Sequence, residues 1–104
     1  MTNLLSSLMD MQRNIINNPY ISQIIRSSGS IGANYREAND ALGKKDFIHR
    51  LKISRKEAKE TYHWLELISE ANPGLKARMG ELNQENQELI NILSAIIKNS
   101  TKKK

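Results

Sequence analysis

Two pairs of side chains in this sequence have a spacing that could bind a metal or carry acid–base chemistry. Glu60 and His63 have the Glu-x-x-His spacing of carboxylate-bridged di-iron bundles, and Asp46 and His49 form a weaker version of it. A di-iron site needs two such pairs on different helices. Here both pairs lie on one predicted helix, about 21 Å apart along its axis. We therefore predict that they are surface polar groups, with no metal site and no cofactor.

The serines and glycines do not form a nucleophile site or a phosphate loop. No Gly-x-Ser-x-Gly elbow occurs, and the small-residue run at residues 27–34 lacks the Gly-Lys-Ser/Thr ending of a phosphate-binding loop. We interpret that run as a contact where small side chains let two helices approach closely. The sequence predicts that the protein is not an enzyme. A metal-dependent enzyme that uses Glu60 and His63 is the remaining enzymatic hypothesis, and it predicts bound metal.

Basic side chains are better organised than any catalytic group. Residues 44–59 contain seven Lys or Arg and two acidic residues, and residues 98–104 add four lysines. Five side chains recur at steps of four and three, which places them on one helix face, here called the basic row: Lys45, His49, Lys52, Lys56 and Lys59. A charged face is commonly only a solvated face. The alternative is a surface for phosphate backbones, with the candidate residues Lys44, Lys45, His49, Lys52, Arg55, Lys56, Lys59, Lys102, Lys103 and Lys104.

Aromatic residues are too few to predict base-specific recognition. The chain has three Tyr, one Phe and one Trp. Stacking platforms need aromatic rings displayed beside the basic groups. Tyr35, which precedes Arg36, is the one loose candidate.

The composition indicates a small helical protein. The chain has 104 residues and a mass of 11.9 kDa, which suits a single domain. Cysteine is absent, which excludes a disulfide scaffold and a zinc finger. Valine is also absent, so little strand-forming material remains except Ile. Residues 1–11 do not resemble a secretory signal and no apolar run suits a bilayer span, so we expect a cytoplasmic protein with no membrane partner.

Three breaks divide the chain into four helical segments. Pro19 and Pro73, each preceded by Asn, favour turns, and Gly43 is a weaker break. Apolar residues recur at helical spacing between the breaks. The predicted fold is all-α, an antiparallel up-down four-helix bundle with a short first helix. We expect a single domain over residues 1–98 and a basic, disordered tail over residues 99–104.

Each segment has a predicted core face. The core positions are Leu4, Leu8, Met11 and Ile15 in the first segment; Ile21, Ile24, Ile25, Ser28 and Ile31 in the second; Phe47, Leu51, Ser54, Ala58, Tyr62, Leu65 and Ile68 in the third; and Leu75, Met79, Leu82, Asn86, Leu89, Leu93 and Ile96 in the fourth. The fourth set follows a heptad pattern typical of bundles. Asn86 is expected either to form a buried polar pair or to face the edge of the bundle. The basic row lies about 200° around the third helix from its core positions.

Some apolar residues fall outside these core faces. A small monomer rarely exposes a large contiguous apolar patch, so we predict that these residues contact another subunit. The candidate interface residues are Ile53, Trp64 and Leu67 on the third helix and Ile90, Ile92 and Ile97 on the fourth.

Two consecutive blocks of sequence resemble a known family. Residues 26–38 read Arg-Ser-Ser-Gly-Ser-Ile-Gly-Ala-Asn-Tyr-Arg-Glu-Ala. This run is similar to the Arg-Ser-x-x-Ser-Ile-x-Ala-Asn-x-x-Glu-Gly/Ala block of the four-helix bundle family, also known as the rRNA intervening-sequence protein family. Residues 44–54 resemble the start of that family's next helix, and residues 56–67 fit its continuation. The resemblance covers residues 20–98.

The resemblance implies a four-helix bundle, commonly assembled as a ring-like homopentamer, with no enzymatic activity attached to the family. Relatives include the accessory variability determinant proteins of diversity-generating retroelements, which are basic pentamers that partner a reverse transcriptase and nucleic acid. Ser30, Asn34 and Glu37 match the family motif by position. For these three the resemblance implies a structural role where the second and third helices pack.

Two hypotheses of different classes follow. The first is a non-enzymatic homo-oligomer, with a pentamer favoured, whose basic helix faces bind RNA or DNA backbones as an accessory factor. The second is a protein-interaction adaptor or scaffold. In that hypothesis the basic face meets a protein partner such as a reverse transcriptase, with no direct role in nucleic-acid binding.

Overall fold

The structure, a computed structural model, describes residues 18–102 and is all-α over that range. Three long helices follow one another: α1 (Asn18–Asn39), α2 (Lys44–Ala71) and α3 (Lys76–Lys102). A 3-10 turn, Pro73–Leu75, joins α2 to α3. The predicted short first helix lies outside the described residues.

The connections between the helices fall at the predicted breaks. Gly43 precedes α2 in an extended conformation, and its carbonyl oxygen accepts from the backbone N–H of Phe47 at 3.0 Å. Asn72 closes α2, because both its backbone N–H and its side-chain Nδ2 donate to the Ile68 carbonyl oxygen at 3.0 Å. Pro73 then begins the 3-10 turn, where a missing N–H is tolerated. Such short connections make consecutive helices antiparallel neighbours.

The core consists of three clusters arranged along the helix axes. One end holds Ile21 and Ile24 of α1, Leu65 and Ile68 of α2, and Met79 and Leu82 of α3. The middle holds Ile31, Ala58 and Ile90. The other end holds Ala38, Leu51, Leu93 and Ile97. Because α2 numbers fall along the same direction in which α1 and α3 numbers rise, α2 runs antiparallel to both.

The buried positions differ from the predicted core faces by one residue at several sites. In α1, Ser27 is buried while Ile25 is 44% exposed and Ser28 is only half-buried. In α2, Thr61 is buried in place of Tyr62. Adjacent residues lie about 100° apart on a helix, so either could face a neighbour, and the direction of the neighbouring helix decides.

In α3 the fully buried positions near the C-terminal end are Ile90 and Ile97, whereas Leu89 and Ile96 are partly buried. The prediction that Ile90 and Ile97 face another subunit is therefore wrong. Both side chains pack against α1 or α2 of the same chain. Leu93, which lies between them, is buried as predicted, so two of the three predicted core positions at this end differ by one residue.

Buried polar side chains join the helices. The hydroxyls of Ser27 and Thr61 form a hydrogen bond of 2.7 Å between α1 and α2. Ser54 Oγ donates to the Ile31 carbonyl oxygen at 2.9 Å. Asn86 is buried and its Nδ2 donates to the Ala58 carbonyl oxygen at 2.6 Å, so it joins α3 to α2.

Among residues 18–102, the two glycines of the small-residue run do not take part in the predicted close helix contact. Gly29 and Gly32 are exposed, and a Cβ atom added at either would meet no atom within 4 Å. Residue 29 lies about 200° around α1 from Ser27, which faces α2. The small side chains that do face the α1–α2 contact are Ser27 on α1 and Ser54 on α2.

The α3 helix extends beyond the predicted domain boundary at residue 98. Residues 99–102 are helical, which corrects their assignment to a disordered tail. Thr101 Oγ1 donates to the carbonyl oxygens of Ile97 and Lys98, both at 3.0 Å. Lys103 and Lys104 lie outside the described residues.

Candidate nucleic-acid interface

All members of the basic row are exposed on α2: Lys45, His49, Lys52, Lys56 and Lys59. The opposite side of the helix carries Leu51, Ser54 and Ala58, which are buried. Steps of three and four along an unbroken helix hold the row on one face, as the sequence predicted. Lys44 is also exposed, at the first residue of α2.

Arg55 differs from the other candidate cations because it is half-buried. Its Nη1 donates to the Ser94 hydroxyl of α3 at 3.3 Å. Arg55 therefore connects the basic part of α2 to α3 and marks the side of α2 that α3 covers. Lys98 follows Ser94 by four residues, so both lie on the same face of α3.

The antiparallel arrangement brings the two basic segments of the sequence together. Phe47, Ile48 and Leu51 of α2 pack in the same cluster as Leu93 and Ile97 of α3. The start of α2 is therefore beside the end of α3. This places two exposed lysines of α3, Lys98 and Lys102, at the same end of the molecule as Lys44 and Lys45. Lys98 was not among the predicted binding residues, because its distance from the basic row is visible only in the fold.

The opposite end of α2 is acidic. Residues 60–70 contain three glutamates and no Lys or Arg. Glu66 and Glu70 are exposed there, while Glu60 is half-buried. The α2 helix therefore carries a basic N-terminal half and an acidic C-terminal half on one molecule.

A depression of about 630 Å³ lies between α2 and α3, beyond the C-terminal end of the basic row. Leu65 and Met79 form its apolar base, and its polar walls are Tyr62, Glu66, Ser69 and Glu70 from α2 and Lys76, Asn83, Gln84 and Gln87 from α3. Asn83 Nδ2 donates to the Tyr62 carbonyl oxygen at 3.2 Å, which fixes the two helices together at this point. The sequence analysis missed this site, because its residues come from separate helices and share no motif.

An apolar groove of about 750 Å³ lies between α1 and α3, here called the α1–α3 groove. Its lining includes Ile25, Leu89 and Ile92, together with Gly29 and Gly32. Ile92 is 57% exposed, so this predicted interface residue is on the surface of the described part of the chain. The small-residue run of α1 thus lines an open groove rather than a contact with α2.

Tyr35, the predicted stacking candidate, is 45% exposed and also lines the α1–α3 groove. Its neighbour Arg36 is exposed on the same wall. The basic row is on α2, away from this groove. The structure therefore does not bring Tyr35 beside the basic row.

The family-motif residues Ser30 and Asn34 form a small polar network on α1. Asn34 Nδ2 donates to the Ser30 carbonyl oxygen at 2.9 Å and to its hydroxyl at 3.1 Å. Arg50 of α2 donates to Asn34 Oδ1 at 3.5 Å. These contacts span α1 and α2. The third motif residue, Glu37, is exposed.

The remaining interface candidates lie on α2, and one of them contacts α1. Ile53, Trp64 and Leu67 are each half-buried. The Trp64 ring packs against Tyr20 of α1, with ring centroids 5.9 Å apart. The His63 and Trp64 rings pack edge to face, with ring centroids 5.2 Å apart.

Glu60 forms an ion pair with Arg26 of α1, which also pairs with Glu57 at 3.0 Å. Glu60 therefore takes part in the α1–α2 contact, and His63 contacts Trp64. Among residues 18–102, no group of three or more His, Cys, Asp or Glu side chains could hold a metal ion. In that same range, every helix is too short or too polar to cross a membrane.

Comparison with known proteins identifies the family. The profile of the 23S rRNA-intervening sequence protein family matches residues 11–95. The chain is also similar to a crystal structure of a protein with unknown function from the S23 ribosomal protein family of Bacteroides thetaiotaomicron VPI-5482. That similarity has 34% sequence identity and a TM-score of 0.86, and it covers 93% of this chain and 90% of the other. No curated protein matches the sequence. Because the family profile spans most of its length, the chain belongs to the 23S rRNA-intervening sequence protein family.

Proposed function

We propose that this chain is a non-enzymatic, nucleic-acid-binding protein that assembles from several copies, with five favoured. RNA or DNA backbones bind the N-terminal half of α2 and the C-terminal end of α3. The observation that carries this proposal is the exposure of every member of the basic row on one face of α2. Lys98 and Lys102 of α3 are exposed at the same end.

The acidic residues within the basic segment support this proposal, because both have partners away from the row. Asp46 lies 3.8 Å from Arg50 Nε, and Glu57 pairs with Arg26 at 3.0 Å. Neither carboxylate therefore needs to neutralise a lysine of the basic row. When these lysines neutralise phosphates, the cations condensed on the nucleic acid are released, and that release contributes to affinity.

The experiment is a salt titration of binding between the protein and a fluorescent single-stranded RNA. If about five phosphates are neutralised, the slope of log K against log salt concentration is expected to be about −3.5. Absence of binding at low salt would reject the proposal in favour of the protein-adaptor hypothesis. Binding that is indifferent to salt would also contradict it.

A pair of matched variants locates the binding surface. The double variant K56Q/K59Q is expected to weaken binding and to reduce the steepness of the salt slope by about 1.4. The control R36Q/R78Q removes the same charge from α1 and from the start of α3, outside both the basic row and the depression, and is expected to retain the slope. Equal losses in both variants would show that only net charge matters.

We also propose that residues 1–17 supply the fourth helix of the bundle by filling the α1–α3 groove. The groove is apolar, and α1 and α3 both pack on α2 while leaving it between them. Residues 1–17 immediately precede α1, and they carry apolar residues at helical spacing: Leu4, Leu8, Met11 and Ile15. The exposed Gly29 and Gly32 would let a helix approach α1 closely.

A further inference from the structure

We infer that the depression between α2 and α3 holds an unpaired base of the nucleic acid whose phosphates contact the basic row. This inference rests on the proposed nucleic-acid function and adds a substrate class, single-stranded rather than duplex nucleic acid. The depression measures about 630 Å³, within the usual range of ligand sites of about 300–1,000 Å³.

The depression begins about one helical turn beyond the basic row on α2. Tyr62 follows Lys59 by three residues, about 4.5 Å along α2. On α3, Gln87 Nε2 donates to Asn91 Oδ1 at 3.0 Å, and Asn91 is followed one turn later by Ser94, the partner of Arg55. A strand whose phosphates lie on Lys59 and Arg55 therefore has its next nucleotide at Tyr62.

The side chains around the depression include two carboxylates against one cation, Lys76, so they suit a base better than a phosphate. Tyr62 is half-buried and offers a ring for stacking, and the amides of Gln84 and Gln87 can donate or accept hydrogen bonds. Glu66 and Glu70 would repel a phosphate but can accept hydrogen bonds from an exocyclic amino group. Such a set of acceptors favours cytosine over uracil, because cytosine presents an amino group where uracil presents a carbonyl oxygen.

Asn83 also favours a ligand that donates a hydrogen bond in the depression. It is only 8% exposed, and its Nδ2 is used by the Tyr62 carbonyl oxygen. Its Oδ1 is buried without a hydrogen-bond partner among the described residues. Buried acceptors in proteins are normally paired, so this oxygen points to a donor supplied at the depression.

The test compares binding of 12-residue oligocytidine, oligouridine and a duplex of the same length at one salt concentration. We expect oligocytidine to bind roughly tenfold more tightly than oligouridine, and both single strands to bind more tightly than the duplex. Equal affinity for the two single strands, or a duplex bound as tightly, would overturn the inference while leaving the proposed function intact. Loss of all salt-dependent binding would instead overturn the proposed function on which it rests.

Variants of the depression separate base recognition from charge. E66Q/E70Q is expected to bind both oligomers more tightly, because two negative charges are lost, but to bring their affinity ratio near one. The control E85Q/E88Q removes the same charge from exposed residues of α3 outside the depression and is expected to keep the ratio. If both double variants change the ratio equally, the inference is wrong.

Tyr62 provides a second readout that does not depend on the glutamates. Y62L is expected to weaken single-strand binding roughly fivefold to hundredfold by loss of stacking, with an unchanged salt slope because the phosphate contacts remain. Y62F keeps the ring and is expected to bind like the native chain. Equal weakening in Y62F, or full affinity in Y62L, would contradict stacking.

Discussion

At the scale of single residues, polar side chains define where the helices meet. Ser27 and Thr61 are both buried, and their hydroxyls form a bond of 2.7 Å across the α1–α2 contact. Thr61 Oγ1 also donates to the Glu57 carbonyl oxygen at 2.9 Å. Because the Thr61 hydroxyl donates its one proton to that carbonyl oxygen, it is the acceptor in its hydrogen bond with the Ser27 hydroxyl. A buried hydroxyl that loses its partner is destabilising, which makes the pair a test of the helix contact.

We expect S27A and T61V each to lower the free energy of unfolding by about 1–2 kcal/mol, because each removes the buried hydrogen bond between the two hydroxyls and T61V also removes the bond to the Glu57 carbonyl oxygen. The double variant is expected to lose less than the sum of the two, since the same bond is removed in both singles. Urea unfolding measures all three values. S22A, an exposed serine on α1, is the control and is expected to change stability by less than about 0.5 kcal/mol. Strict additivity of the two substitutions would contradict the pairing.

At the scale of elements, Gly80 is the residue of α3 with the least favourable helix propensity. It is exposed within α3, and a Cβ atom added there would meet no atom within 4 Å. Glycine in a helix interior is less favourable than alanine because it loses more backbone freedom on folding. The fold gives no compensating contact for it among the described residues.

The substitution G80A is therefore expected to raise the free energy of unfolding by about 0.5–1 kcal/mol. Chemical unfolding followed by circular dichroism measures this change. A loss of stability would show that α3 has a neighbour at residue 80, such as a second copy of the chain. G43A is not an equivalent test, because Gly43 precedes α2 in an extended conformation and is not helical.

At the scale of the whole molecule, the α1–α3 groove should be covered in the folded chain. In the described residues Ile92 lines this groove and is 57% exposed. If residues 1–17 lie in the groove, I92S is expected to lower the free energy of unfolding by about 1–2 kcal/mol. The reason is that the substitution removes apolar surface of Ile92 that folding would bury against those residues. If Ile92 is not covered, the substitution is expected to change the free energy of unfolding by less than about 0.5 kcal/mol. A change of that smaller size would contradict the proposed fourth helix.

The proposed assembly is tested by the mass of the protein in solution. Five copies of 11.9 kDa give about 60 kDa in a closed ring. Light scattering is expected to report this mass for the native chain and a smaller mass for I53E/L67E, which places charges at two half-buried apolar positions of α2. Q84E/Q87E adds the same charge on exposed residues of the α2–α3 side and is expected to keep the assembly. A mass of one chain for the native protein would contradict the proposed pentamer.

Much of the architecture was predictable because helix formation depends on local patterns. Apolar spacing and the breaks at Gly43 and Pro73 predicted α2, α3 and the connection between them. The exposure of the basic row was predictable for the same reason, since residues at steps of three and four share a face in any regular helix. Membership of the family was also predictable, because residues 26–38 match its motif in sequence alone.

The remaining features depend on where helices distant in sequence meet. Helix periodicity predicted Ser28 and Tyr62 as core residues, whereas the buried residues are Ser27 and Thr61, because the direction of the neighbouring helix decides between adjacent positions. The sequence by itself therefore determined the helices and the charge on each face. Only the tertiary structure decided that Lys98 joins the basic surface and that Tyr62 lies beside the amides of α3. The physical reason is that such contacts require antiparallel packing, in which residues many turns apart in sequence are adjacent in space.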